Sequence, residues 1–395
     1  MLGPPMESSE QAQQGNATIE LILKHFRPLR DPRLKRRQKH PLVNVLVMAL
    51  CGVIAGADGW DALAVFAKAR ADWFATFLDM PNGVPCADTF RRVFCALEPR
   101  AFEACFRDWV QALAKALHGE VVAVDGKSVR GALGKTMQGT PLHLVHAWAT
   151  KQRLLLAQTA VEGAPGEVAA IPELLKLLNL EGAVVTVDAN GCTAKVAQAV
   201  VQAKADYVLC LKGNRGPLHA HVKQLFAPVR EDKKGHQVAS SHRSHNQGHG
   251  RYEVRHAWAV RLQPGGCPKS ARQWPKLKTA VMLRRERTVG GKTKVEWHYY
   301  LSSLPPKAKK LSRIIRDHWG VENGLHWCLD VCMGEDSCRI RDHDGAQNFA
   351  VINRIALTLL RREPTCKQGV PTRRKRAGWD LGYLLSVLGA GITEV

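Results

Sequence analysis

Three acidic residues sit where phosphate chemistry assisted by a metal would need them. Asp125 ends the apolar run "VVAVD" and is followed by Gly126 and Lys127, and Asp188 ends "VVTVD" just before Ala189 and Gly191. An isolated charge against an apolar core is costly, so an aspartate in this position either caps the next turn or binds something. Two such aspartates on neighbouring strands repel one another and call for cations. Magnesium suits them, being a hard ion that takes carboxylate oxygens and keeps waters for a phosphate. The third acid, Glu322, lies in "RDHWGVENGLHWCLD", where His318, Glu322, His326 and Asp330 recur at steps of four. On an α-helix they form one stripe. The stripe admits three readings: a zinc site made by His318, Glu322 and His326, a solvated charged face, or one wall of a site completed elsewhere. In the last case Glu322 would hold a second metal, and two ions could serve an in-line phosphoryl transfer without a covalent nucleophile.

The elements that must position these acids are legible in the residue patterning. From Pro41 to about Ala116 the apolar spacing is helical, as in "WDALAVFAKARADWFATFL" and "PRAFEACFRDWVQALAKAL". Between them, "GVPCADTFRRVF" offers Asp88 as a helix N-cap and presents Arg91 and Arg92 on the first turns. After Gly119 come "EVVAVDGKSV", "LHLVHAWAT" and "RLLLAQTAV" as strands, then "GEVAAIPELLKLLNL" (helix), "AVVTVDA" (strand), "TAKVAQAVVQAKA" (helix) and "DYVLCLK" (strand). Three strands followed by α-β-α-β give a mixed sheet with a meander at one end, the order of the ribonuclease H-like fold.

The expected organisation is a flexible leader (1–25), an all-helical N-terminal DNA-binding or associated domain (26–117) and a ribonuclease H-like core in two parts (118–214 and 299–363). A β-rich basic insertion (215–298) separates the two parts, and a basic segment (364–395) closes the chain. The fold class is therefore mixed α/β.

Composition narrows the partners. Among 395 residues, Lys and Arg number 57 against 35 Asp and Glu, for a formal charge of +22, which favours a polyanion such as nucleic acid. The apolar run from Pro41 to Ala57 is shorter than the roughly 20 residues needed to span a bilayer, and reads as a core helix. The polar first twenty residues do not resemble a secretory signal, so a cytoplasmic, nucleoid-associated protein without a membrane partner is expected. Eleven cysteines without a C-x-x-C pair argue against a disulfide framework. The set Cys328, Cys332, Cys338 and His343 matches no common zinc spacing.

Six blocks carry a resemblance over nearly the whole chain: "DPRLKRRQKHPLVNVLVMALCGVIAGADGWDALAVFA", "GVPCADTFRRVF", "VVAVDGKSVRGA", "VVTVDANGCTAKVAQAVVQAKADYVLCLKGN", "HGRYEVR" and "IRDHWGVENGLHWCLDVCMGEDSCRIR". With them the sequence resembles the DDE transposases of bacterial insertion sequences, most closely the H-repeat-associated branch. The resemblance places the catalytic, metal-binding triad on Asp125, Asp188 and Glu322, separated by 188 − 125 = 63 and 322 − 188 = 134 positions. Ile315 and Leu329 stand where the broader group has Tyr and Lys, and His318 stands in place of Arg.

It further implies two Mg2+ ions, with Mn2+ as a substitute, and double-stranded DNA partners, namely the terminal inverted repeats and target DNA. A homodimer on paired ends is implied as well. Lys127, Lys212, Asn214, Arg316, His318, Arg91 and Arg92 are the candidate DNA contacts, and Trp319 and Trp327 are expected in the core. A DNA-binding descendant without catalysis, and a metal-dependent nuclease without strand transfer, are the alternatives.

Overall fold

The computed structural model describes residues 24–133, 141–231, 238–248, 250–263 and 267–390. All but the last two residues of the expected leader lie outside them. The helical region contains α1 (Leu42–Ile54), α2 (Trp60–Ala69), α3 (Ala71–Ala75), α4 (Ala87–Ala96) and α5 (Pro99–Leu113). The apolar run does form a core helix, with everything from Asn44 to Ile54 buried. Gly52 lets α2 approach it, since a Cβ there would fall 2.6 Å from Leu63 Cδ2. Asp88 is not the N-cap of α4: Cys86 holds that position without a side-chain bond. Asp88 lies inside the first turn, where negative charge is favourable, and bridges Arg91 and Arg92 at 2.5 Å each. Glu98 caps α5 by accepting from the backbone N–H groups of Arg100 and Ala101, ahead of Pro99 at the first helical position.

Glu103 of α5 is buried, with Gln158 and Gln347 both donating to its Oε1. Burial pushes its carboxyl from 4.5 up to about 7 against those two hydrogen bonds. The native state thus keeps a proton that the unfolded chain releases, and stability falls as pH rises from about 4.5 through 7. Glu103→Gln, which needs no proton, is expected to gain about 3 kcal/mol over wild type at pH 8 and less than about 1 kcal/mol at pH 5. Urea denaturation at the two pH values checks this.

Among the described residues nine strands form one sheet: β1 (Val121–Leu133), β2 (Pro141–Ala149), β3 (Leu154–Val161), β4 (Val184–Val187), β5 (Asp206–Leu211), β6 (Ser240–Gly248), β7 (Arg251–Arg261), β8 (Thr279–Val289) and β9 (Lys292–Ser302). Their order is β3-β2-β1-β4-β5-β9-β8-β7-β6. β1 to β3 form the antiparallel meander, and β4 and β5 run parallel to β1. Helices α6 (Gly163–Lys176) and α7 (Ala194–Gln202) make the crossovers. This is the mixed α/β, ribonuclease H-like arrangement expected from the element order.

Residues 215–298, read from the sequence as a β-rich basic insertion, are joined to the core sheet. They begin with two helices, α8 (Gly216–Leu225) and α9 (Ala227–Arg230), and their strands continue the core sheet. β9 pairs antiparallel with β5, Val208 opposite Ser302, so the edge of β5 that would otherwise expose unpaired N–H and C=O groups is covered. In β8 the first five residues are buried and the rest lie nearer solvent, so the inner end joins the core and the outer end projects.

Helix α10 (Ala308–His318) lies across the centre of the sheet. Its Leu311, Ile314 and Ile315, at i, i+3 and i+4, share a buried cluster with Val121, Val184, Val208, Val281 and Tyr300 from five strands. The helical path continues through two π-type segments, Glu322–His326 and Cys328–Cys332. Long α11 (His343–Arg362), buried from Gly345 to Leu360, packs against α1, α4, α5 and the β2–β3 end of the sheet. The basic C-terminal segment forms α12 (Val370–Trp379) and α13 (Leu381–Gly389). Its Arg374 donates to the Val53 carbonyl at 2.8 Å and also to that of Cys332, while Arg70 reaches back to the Gly378 carbonyl at 2.9 Å. Among the described residues no helix is long and apolar enough to cross a membrane.

Candidate active site

The parallel register of β1 and β4 pairs Val121 with Val184 and runs to Val124 with Val187. The next residue after each of these is an aspartate, so Asp125 within β1 and Asp188 just past the end of β4 stand side by side. Asp188 Oδ1 accepts from the N–H groups of Asn190 and Gly191, which fixes the turn after β4. Because α10 crosses the same strands, its continuation brings Glu322 over their ends. Asp125, Asp188 and Glu322 line one cleft, together with Thr186, Lys212, His298, Tyr300, His318 and Trp319. Asp125 records the crowding: burial, then Asp188, and also Glu167 and Glu322, push its carboxyl up to about 7.

Every acid in the cleft offers hard oxygen donors, and Asp125 bears a repulsion that a divalent cation would cancel. These features fit Mg2+. Among the described residues no three His, Cys, Asp or Glu side chains stand as a ready-made group for a single ion, which covers the Asp125, Asp188 and Glu322 set as well as the His318–Glu322–His326 stripe and the Cys328, Cys332, Cys338 and His343 set. The stripe fails for a geometric reason. From Glu322 onward the backbone bonds run i→i+5, with Trp327 N–H to the Glu322 carbonyl and Met333 N–H to that of Cys328, so residues four apart do not stack as on an α-helix.

His318 is half-buried in the cleft wall and bonds through Nδ1 to Thr186 Oγ1 at 2.9 Å, and desolvation holds its imidazole down at about 4. His326 turns instead toward β1 and β2, with Nδ1 3.7 Å from Asp125 Oδ2 and Nε2 3.3 Å from His146 Nδ1. Trp319 and Trp327, expected in the core, are 42% and 53% exposed, and Trp319 lines the cleft.

The candidate DNA contacts separate. Lys212 opens onto the cleft, and Asn214 ties the loop after β5 to the Ala189 carbonyl at 2.9 Å beside Asp188. Arg91 and Arg92 lie on the surface of α4, each bonded to Asp88. Arg316, with the Asn246 amide oxygen turned toward it, donates to that side chain on β6 at 2.8 Å. Lys127 departs from the expectation of a charge free to meet phosphate. It is buried, with Nζ 2.5 Å from Asp330 and within 4 Å of Asp336 and Glu335, so its charge is already matched inside the protein.

Sequence reasoning missed two sets of neighbours. Glu167 of α6 bonds to His143 Nε2, whose Nδ1 meets Ser128 Oγ at 2.8 Å. Gly126 makes room for this, because a Cβ there would lie 1.9 Å from Glu167 Oε1. His146 stands directly opposite Asp125 in the β1–β2 ladder. The available signal was two histidines within the apolar strand "LHLVHAWA", each needing a polar partner once buried.

Fold and site together define a ribonuclease H-like protein with three acidic residues from separate elements facing one cleft. Residues 117–359 match the family described as "Transposase DDE domain", and residues 23–110 match "DDE_Tnp_1-associated". The chain belongs to this DDE transposase family. It is 35% identical to "Putative transposase YncI" of Escherichia coli O157:H7, over 94% of this chain and 95% of that protein. It is 32% identical to "H repeat-associated putative transposase YhhI" of Escherichia coli strain K12, over 95% of this chain and all of that protein. Among solved structures, the piggyBac transposase synaptic complex with hairpin DNA aligns with a TM-score of 0.43 and 12% identity, over 96% of this chain and 81% of that one.

Proposed function

We propose that the protein is an active insertion-sequence transposase that binds the ends of its element, hydrolyses a phosphodiester at each end and joins the freed 3′-hydroxyl to target DNA. The observation that carries this reading is that Asp125 and Asp188, each directly following the last registered pair of β1 and β4 (Val124 with Val187), line one cleft with Glu322 from the helical path after α10. Asp125 and Asp188 would hold the metals jointly, with Glu322 on the second. Two Mg2+ ions, when bound, supply activation of the attacking oxygen and stabilisation of the leaving oxygen. His318, fixed by Thr186, sets the cleft wall beside Glu322 and is neutral at physiological pH, so it can contact the scissile phosphate without adding charge.

The DNA path follows the shape of the cleft. Through Cys210, Lys212 and His298 it continues into a groove with His219, Lys223, Arg230 and Trp297, a basic and aromatic lining suited to a nucleic acid backbone. Arg91, Arg92, Arg316 and Asn214 are further candidates for backbone contact, and a dimer would bring two ends together.

The test is an assay of purified protein with Mg2+ or Mn2+ and DNA carrying the element's ends. Cleaved ends and joined products are expected, with binding weakened by roughly 10^3-fold between 50 and 200 mM salt if six or more phosphates are contacted. Broken ends without joined products would favour a nuclease, and binding without any cleavage would favour a DNA-binding protein that has lost catalysis.

A further inference from the structure

A chain of four side chains runs from the middle of α11 to the catalytic cleft. Arg354, fully buried, donates from Nη2 to His146 Nε2 at 3.2 Å. His146 Nδ1 lies 3.3 Å from His326 Nε2, and His326 Nδ1 points at Asp125 Oδ2 from 3.7 Å. Both carboxylate oxygens of Glu335 hold the same guanidinium, and the Ala350 carbonyl accepts from its Nη1 at 2.9 Å, so the start of the chain is fixed.

The donor inventory sets the direction of every link. A guanidinium donates only, so His146 Nε2 must accept and the proton of that ring sits on Nδ1. His146 then donates to His326 Nε2, which leaves the proton of His326 on Nδ1, facing Asp125. A proton on the other nitrogen of either ring would set donor against donor. The tautomers of two histidines are thereby fixed from α11, and the last donor is aimed at one oxygen of one aspartate.

We propose that His326, with its tautomer set by His146 and Arg354, is a positioning residue that engages Asp125 Oδ2 and leaves the other oxygen of that carboxylate for the divalent cation. This rests on the reading of the cleft as a metal site. The 3.7 Å separation exceeds a hydrogen bond, so engagement needs a small approach of the two side chains. Outer partners that orient a metal-binding carboxylate commonly contribute roughly 10- to 100-fold in metal affinity.

Two substitutions divide the ring between them. The amide nitrogen of Asn can occupy the place of Nδ1, so His326→Asn keeps a donor toward Asp125 and gives up the link to His146. The longer Gln reaches the place of Nε2, so His326→Gln keeps a partner for His146 and gives up the donor to Asp125. The experiment is thermal unfolding of the full-length protein titrated with Mn2+ alone, read as the concentration giving half of the metal-induced rise in melting temperature.

The expected result is a half-saturation concentration roughly 10-fold or more higher in His326→Gln, with His326→Asn near wild type. Equal half-saturation in wild type, His326→Gln and His326→Asn overturns the proposal, even where the metal-free melting temperature drops, because a purely structural histidine lowers stability without moving metal affinity. A wild type whose melting temperature does not respond to Mn2+ overturns the metal reading of the cleft and this proposal with it. A response in wild type that is lost in Asp125→Ala upholds the metal reading, and the His326 comparison then decides the proposal alone.

Discussion

Asp125→Asn is expected to abolish DNA cleavage while making the metal-free protein more stable at alkaline pH. An amide cannot supply the negative charge asked of this position, and a loss of at least about 10^3-fold in rate, or ~4 kcal/mol of barrier, is expected. Stability moves the other way. The Asp125 carboxyl is raised from 3.8 to about 7 by burial and by Asp188, so the native state holds a proton that the unfolded chain releases, and stability declines as pH rises from about 4 to 7. Asn at this position does not titrate. Because 26% of the Asp125 side chain remains open to the cleft, solvent relieves part of the penalty, and a gain on the order of 2 kcal/mol at pH 8 is expected. Chelator-treated protein unfolded in urea at pH 5 and pH 8 reads the stability, and a nicking assay reads the activity. Retained cleavage in Asp125→Asn would remove this residue from the chemistry.

The second large effect lies away from the cleft. Arg354 and Glu335 form a buried bidentate ion pair, with 0% and 2% of their side chains exposed. Taking one partner away leaves the other charge buried without its match, which costs about 3 to 5 kcal/mol. For Arg354→Met the lower end is expected, because Lys127 Nζ remains 3.8 Å from Glu335. The double variant Arg354→Met with Glu335→Met should recover much of that loss, since the uncompensated charge goes and the volume stays filled. Denaturation midpoints of the two single variants and the double variant form a cycle that isolates the pair. Additive losses would mean that the two residues stabilise the fold independently.

The parts of the site written in local pattern were legible, and the parts set by three-dimensional neighbours were not. Asp125 and Asp188 could be read because each closes an apolar run of strand residues, and strand order alone places those strands together. Glu322 came from the resemblance, since nothing local distinguishes it from His318 or Asp330 on the same helix. Lys127 was misread because its three acidic partners lie more than 200 positions later in the chain, at Asp330, Glu335 and Asp336. Glu167 was placed on its helix, but its partner His143 lies on β2, and nothing in the local pattern links the two. The region of β6 to β9 was read as β-rich, but the edge it extends is a property of β5, and strand propensity does not reveal a partner.

The helix that carries Glu322 has a length different from the one its own hydrogen bonding would choose. Its two π-type segments each take in more chain per turn than an α-helix does. Deleting one residue there would let regular α-helical bonding return in that segment, while rotating His326, and with it the approach of its Nδ1 to Asp125 Oδ2, relative to Glu322. The number of residues between Glu322 and Met333 is thus constrained independently of what those residues are. An alignment that closed this stretch by a single gap would describe a better helix and a His326 turned away from Asp125.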